Sequence, residues 1–138
     1  MLSKKLPYWN KALKYLKHKD KILAKIIVSH QHDYLNVSNK YFESLVRAII
    51  GQQISVKAAQ SIWIKFSKKH RTISPNKISK ENIRALKSLG LSRQKSLYIK
   101  NIANFFILNK KRINQWKYFS DDEIKDDLTS VKGIGVWT

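Results

Sequence analysis

The residues best suited to chemistry lie in the stretch VKGIGVWT, residues 131–138. Two glycines around one apolar residue permit backbone angles closed to other residues, and their bare Cα atoms let another molecule approach the main chain. Amide N–H groups at such a turn, where a helix begins, can hold a phosphate oxygen, and Lys132 adds a positive charge beside them. Contacts of this kind grip a nucleic acid backbone without reading its bases. Taken alone, the same residues also suit an ordinary glycine-containing turn between two helices. A second stretch, GQQIS at 51–55, places two amide side chains and a serine in another break.

The charge of the chain points the same way. Its 28 Lys and Arg against 9 Asp and Glu give a formal +19, a field that draws polyanions. Lysines spread over solvated faces would give the same total. The acids are unevenly placed: none lies between Glu43 and Glu81, none between Glu81 and Asp121, and none follows Asp127. Five of the nine crowd into DDEIKDD at 121–127. With 43% apolar residues over 138 positions, the chain is a globular domain or part of one. No segment has the length of an apolar membrane span, and the first residues lack the apolar run of an export signal. The absence of cysteine removes disulfide and thiolate chemistry from these residues and fits the cytosol.

The elements that must position these residues read as helices throughout. Pro7 opens a helix with Trp9, Ala12, Leu13 and Leu16 at helical spacing. Asp20 caps a second, with Ile22, Leu23, Ile26 and Ile27 inward. Ser38 or Asn39 precedes a third, whose Phe42, Leu45, Val46, Ile49 and Ile50 form one apolar face that ends at Gly51. Ser55 caps a fourth carrying Ala58, Ala59, Ile62, Trp63 and Phe66. Ser74 with Pro75, and Ser79, offer starts for a helix that ends at LKSLG, where Gly90 suits a left-handed cap. Ser92 opens another with Leu97, Tyr98, Ile102, Phe105 and Phe106. Ser120 and Glu123 have capping-box spacing, and the acids around them suit the positive end of the helix dipole. No alternating strand pattern is visible, and the predicted class is all-α.

FESLVRAIIGQQIS, LKSLGLSRQKSLYIKNIA and LTSVKGIGVWT follow one another in that order. On these three motifs the chain resembles the helix-hairpin-helix DNA glycosylases over residues 41–138, and within them the 3-methyladenine DNA glycosylase II branch. The resemblance implies an all-α glycosylase fold, incomplete at the C-terminus. Residues 1–37 would be N-terminal helices of a second lobe, and residues 38–138 a helical lobe ending in the first half of the hairpin motif. It also implies base excision repair by a monomeric, cytoplasmic enzyme, nucleoid-associated in a bacterium, acting on alkylated bases flipped out of double-stranded DNA. No cofactor is required.

Carried over position by position, the resemblance puts Gln52 at the mouth of the base pocket and Gln53 at the wedge that fills the gap left by the extruded nucleotide. A polar residue in an exposed turn is the alternative for Gln53. Ser55 would be a helix cap first and a phosphate contact second. Trp137 would be an aromatic wall of the pocket, or else pack the hairpin onto its neighbour. It stands where relatives that also nick DNA carry a Schiff-base lysine, so no lyase step is expected. Gly133, Gly135, Lys132 and Thr138 would bind DNA through the hairpin. Arg93 and Lys95 would touch phosphates or remain solvated. The carbonyls of Thr129, Val131 and Ile134 would line a structural K+ or Na+ site.

The family's catalytic aspartate is expected one helix beyond Thr138, so these 138 residues are expected to be inactive alone. Three other readings stay open. One is a DNA-binding helical module without catalysis. A second is an adenine- or thymine-glycol-directed glycosylase with an iron–sulfur cluster, against which GQQIS and Trp137 argue. A third is a basic helical protein of unrelated role, which explains the charge but not the three motifs in order.

Overall fold

A computed structural model of the chain describes residues 4–34, 36–38 and 40–138. Two compact units divide it, Met1–Asn39 and Lys40–Thr138. In the first, α1 (Trp9–Lys19) packs against α2 (Lys21–Ser29). Asp20 lies between them and caps α2, its carboxylate accepting from the amides of Ile22 at 2.7 Å and Leu23 at 2.9 Å. Pro7 sits in a turn, and α1 begins two residues later. A short antiparallel pairing joins β1 (Lys4–Lys5) to β2 (Asn36–Val37), with Lys4 opposite Val37. A pair this short has no period to betray it in the sequence. Neither helix contains a buried residue. Ile22 is 72% exposed, so the stripe expected to face inward is not covered within this unit.

The second unit is helical throughout: α3 (Tyr41–Gly51), α4 (Val56–Lys69), α5 (Pro75–Lys80), α6 (Ile83–Lys87), α7 (Arg93–Leu108), α8 (Lys110–Gln115), a 3-10 turn (Trp116–Tyr118) and α9 (Asp121–Thr129). Helix α7 is the centre, packed by α3, α5 and α6. Phe42, Val46, Ile49 and Ile50 bury the predicted face of α3 against Ile99, Ile102 and Ala103 of α7, with Phe66, Ile78 and Leu86 closing the same core. Ser96 is also buried on α7, and its hydroxyl donates to the Ser92 carbonyl at 2.9 Å, so no polar atom is left orphaned there. Val131 and Ile134 bring the hairpin into this core.

Several boundaries follow the expected caps. Ser55, Ser92 and Ser120 accept from the amides of Ala58, Lys95 and Glu123, and Glu123 returns the bond to the Ser120 amide at 2.7 Å. Gly90 takes φ +100°. Others differ. Asn39 lies outside the described residues, and Lys40 holds the N-cap position of α3 without a side-chain capping bond. The helix expected to run to LKSLG is two, because Asn82 accepts from the Ala85 amide at 2.7 Å and starts α6. Ser79 instead bonds back to the Asn76 carbonyl within α5. Among the described residues no helix is long and apolar enough to cross a membrane.

Candidate nucleic-acid interface

Helix α3 ends at Gly51, and the chain turns through Gln52 and Gln53 before Ser55 starts α4. Gln52 closes α3 with φ −55° and ψ 129°, which sends its side chain across to the hairpin. There Nε2 donates to the Gly133 carbonyl at 3.2 Å and to the Thr138 hydroxyl at 3.1 Å. Two motifs more than 80 positions apart thereby meet at one place. The carry-over set Gln52 at the mouth of a base pocket; in this structure its donor group is engaged as a tie. Gln53 takes φ +53°, the only left-handed non-glycine backbone among the described residues, and its side chain is exposed. A backbone held in that region carries strain that the surrounding fold must support.

The hairpin follows α9. Gly133 has φ +108°, and a Cβ there would lie 2.1 Å from Cγ of Tyr98. Its missing side chain therefore makes room for the Tyr98 ring, where the sequence suggested room for a partner. Gly135 has nothing within 4 Å of its would-be Cβ and is the open glycine. Its amide, however, donates to the Thr138 hydroxyl at 3.1 Å, and the Ile134 amide to the Val131 carbonyl at 3.0 Å. The expectation that the Gly135 amide is free for phosphate is thus corrected. The amides of Lys132, Gly133, Val136 and Trp137 donate to nothing among the described residues and are the available ones. Thr138 bonds back to the Gly135 carbonyl at 3.0 Å, a single turn, and no second helix forms among the described residues.

Lys132 and Arg93 line one groove of about 540 Å³, with Gln94, Leu97, Tyr98 and Asn101 between them. Leu97, one of the apolar residues of α7, faces this groove, 42% exposed. No carboxylate lines the groove, so its two cations are uncompensated there. A second cavity of about 370 Å³ adjoins across Tyr98 and Gln94 and reaches Gln52, Gln53 and Ser92. Lys95 lines it too but is no phosphate contact: its Nζ donates to the Ile50 carbonyl at 2.8 Å, capping α3, and burial holds its pKa below the ordinary lysine value. Ser55 is a cap, as expected. Trp137 is 100% exposed, so it neither packs the hairpin onto a neighbour nor walls a cavity of these residues.

Of the five acids of α9, Asp121 has no side-chain bond among the described residues and lines a cavity of about 220 Å³ with Gly135, Val136 and Thr138, Asp126 has none either, and the other three are engaged. Glu123 completes the capping box, Asp122 pairs with Lys125, and Asp127 receives Arg112 Nε at 2.8 Å and Trp116 Nε1 at 2.9 Å. Among the carbonyls named for a cation, that of Val131 already accepts the Ile134 amide. Those of Thr129 and Ile134 receive no donor among the described residues, which leaves hard oxygen ligands of the kind Na+ or K+ takes.

Residues 46–137 match the model of the HhH-GPD superfamily base excision DNA repair protein, two thirds of the chain. The chain belongs to that superfamily. Among similar members, DNA-3-methyladenine glycosylase of Saccharomyces cerevisiae is 31% identical, over 94% of this chain and 50% of its own length. DNA-3-methyladenine glycosylase 1 of Schizosaccharomyces pombe is 28% identical, over 86% of this chain and 54% of its own. The chain thus spans about half the length of these relatives. A solved Schizosaccharomyces pombe 3-methyladenine DNA glycosylase in complex with abasic DNA shares the fold, with TM-score 0.75 at 24% identity over 92% of this chain and 65% of that one. The all-α HhH-GPD fold is therefore the fold of this chain.

Proposed function

We infer that this chain is the DNA-holding part of a monofunctional glycosylase that removes alkylated bases, 3-methyladenine first among them, from double-stranded DNA. The observation that carries this is the Gln52 bridge, which fixes the strained, exposed Gln53 beside the free hairpin amides. The names of the two yeast relatives supply the substrate class.

In this reading the amides of Lys132, Gly133, Val136 and Trp137, with the Lys132 ammonium, grip one phosphate, and Arg93 lies along the same groove toward the next. Gln53 enters the duplex and fills the gap as the damaged nucleotide swings out. The exposed Trp137 indole offers a face on which the extruded base can stack. An alkylated purine already carries positive charge and leaves readily. What remains is a carboxylate to support the charge that builds on the sugar and to place water. Trp137, where an amine nucleophile would stand, leaves water as the attacking group.

No acid follows Asp127; Glu123, Asp122 and Asp127 serve capping and ion pairs, and Asp121 and Asp126 sit on α9 ahead of the hairpin, where the positive end of the helix dipole accounts for Asp121, so in this reading the 138 residues alone hold damaged DNA without hydrolysing it. That observation also favours the second reading, a binding module with no chemistry. The Thr129 and Ile134 carbonyls, with Val131, hold Na+ or K+ as a structural ion and no other cofactor is needed. The protein works as a monomer wherever the DNA is, in a bacterium the cytoplasmic nucleoid.

The test is release of 3-methyladenine from methylated duplex DNA, measured for the 138-residue chain and for the longest translated product that contains it. The expected result is release by the longer product alone. Release by neither supports the binding module, and turnover by the short chain contradicts the assignment of its acids.

A further inference from the structure

The hairpin amides can grip a phosphate only if something aims them, and the hairpin's own bonds do little of that. From residue 131 on, they are limited to Val131 N–H to Leu128 O, Ile134 N–H to Val131 O, and the Gly135–Thr138 pair. Nothing within the hairpin fixes the peptide between Lys132 and Gly133. Helix α7 does. Asn101 Nδ2 donates to the Lys132 carbonyl at 3.1 Å. In a trans peptide the C=O and the following N–H point in opposite directions within one rigid plane. No peptide bond in the described chain is cis, so drawing the Lys132 carbonyl toward α7 turns the Gly133 N–H away from it. That amide has no acceptor among the described residues. Tyr98, three positions earlier on the same face of α7, lies against Gly133, its ring in the space a Cβ would take. Gln94, one turn before, bonds the Tyr98 hydroxyl and sets the ring.

We propose that Asn101 is a positioning residue that aims the Gly133 amide and the adjoining Lys132 at a DNA phosphate, with the Tyr98 ring lying against the same glycine. The proposal rests on the DNA-holding reading above. Asn101 makes its contribution through the Lys132 peptide and carries no charge itself, which gives it an unusual signature. Removing its donor should remove a charged contact from the salt dependence of binding.

The experiment measures affinity of the 138-residue chain for an abasic-site duplex over a range of salt, with the melting temperature of each variant. Asn101→Leu should weaken binding about tenfold and lower the slope of log K against log salt by about 0.9, one phosphate. Lys132→Ala should lower the slope by the same amount, and the double variant by no more than either, since both act on one contact. Asn101→Ser, too short to reach the carbonyl and mild toward the fold, repeats the measurement if the leucine variant fails to fold. Wild-type affinity and slope in the Asn101 variants, or additive slopes in the double variant, overturn the inference alone. Absence of salt-dependent binding by the wild type overturns the DNA-holding reading, and the inference with it.

Discussion

A β-carbon at Gly133 would lie 2.1 Å from Tyr98 Cγ on a backbone already at φ +108°, whereas one at Gly135 would meet nothing within 4 Å. Gly133→Ala should therefore cost about 3 kcal/mol from strain and overpacking together, and Gly135→Ala less than about 0.5 kcal/mol. Urea unfolding of the two variants reads the difference. Gln53 is the converse case, a side chain kept where glycine would be easier. Gln53→Gly should stabilise the chain by about 1 kcal/mol, visible as a rise of about 4–8 °C in melting temperature. If the wedge role proposed for Gln53 holds, the same variant should show no preference for an abasic-site duplex over an intact one. His70 carries a pH dependence. It is buried, with Nε2 unpartnered and Nδ1 3.8 Å from Glu81. Desolvation lowers its pKa first; Glu81 opposes this, and Lys69 and Lys77 add to the lowering. The unfolded chain thus takes up the proton at higher pH than the folded one. Stability from this group is full above about pH 6.5 and is lost as pH falls through the lower folded value. Unfolding between pH 7 and 5 should show that loss, and His70→Gln should remove it.

At the scale of elements, α7 does more than its apolar stripe reveals. Lys95 caps the end of α3 at the Ile50 carbonyl, and Lys100 donates to the carbonyls of Ser79, at 2.6 Å, and Glu81 at the end of α5. Both lysines give charge-assisted bonds to carbonyls a helix end leaves unpaired. Lys95→Met should cost about 1.5–3 kcal/mol, and Lys65→Met on the exposed face of α4 less than about 0.5 kcal/mol, checked by thermal unfolding. Nothing in the sequence distinguishes these lysines from their solvated neighbours, because their partners lie 45 and about 20 positions away. Local signals were legible: Asp20, Ser55, Ser92 and the Ser120–Glu123 box all cap where their spacing says, since a cap depends only on the next three residues. Asn82 carries the same signal, but the serines at 74 and 79 compete with it as helix starts in the sequence. Leu97 illustrates the limit of periodicity, for α7 buries Ser96 and exposes Leu97, and only the packing of three helices around it decides that.

At the scale of the whole molecule, the DNA-holding reading gives the +19 charge the range and salt dependence of binding, and the hairpin with the Gln52 turn its location. The order of the three motifs made the superfamily legible, and the match over residues 46–137 bears it out. Their spatial closure was not legible, since it depends on one glutamine amide reaching Gly133 and Thr138. Which amides stay free depends likewise on Thr138 turning back onto Gly135. Raising salt from 50 to 200 mM should weaken duplex binding by orders of magnitude without abolishing discrimination between duplexes, because charge supplies affinity and the wedge supplies preference. The central claim, that the Gln52 bridge holds Gln53 and the hairpin as one DNA-gripping site, is tested most directly by fluorescence anisotropy with matched intact and abasic-site duplexes. The account predicts tighter binding to the abasic duplex by the wild type, and loss of that preference with background affinity retained in Gln53→Ala and Gln52→Ala. Equal affinity of the wild type for the two duplexes would contradict it.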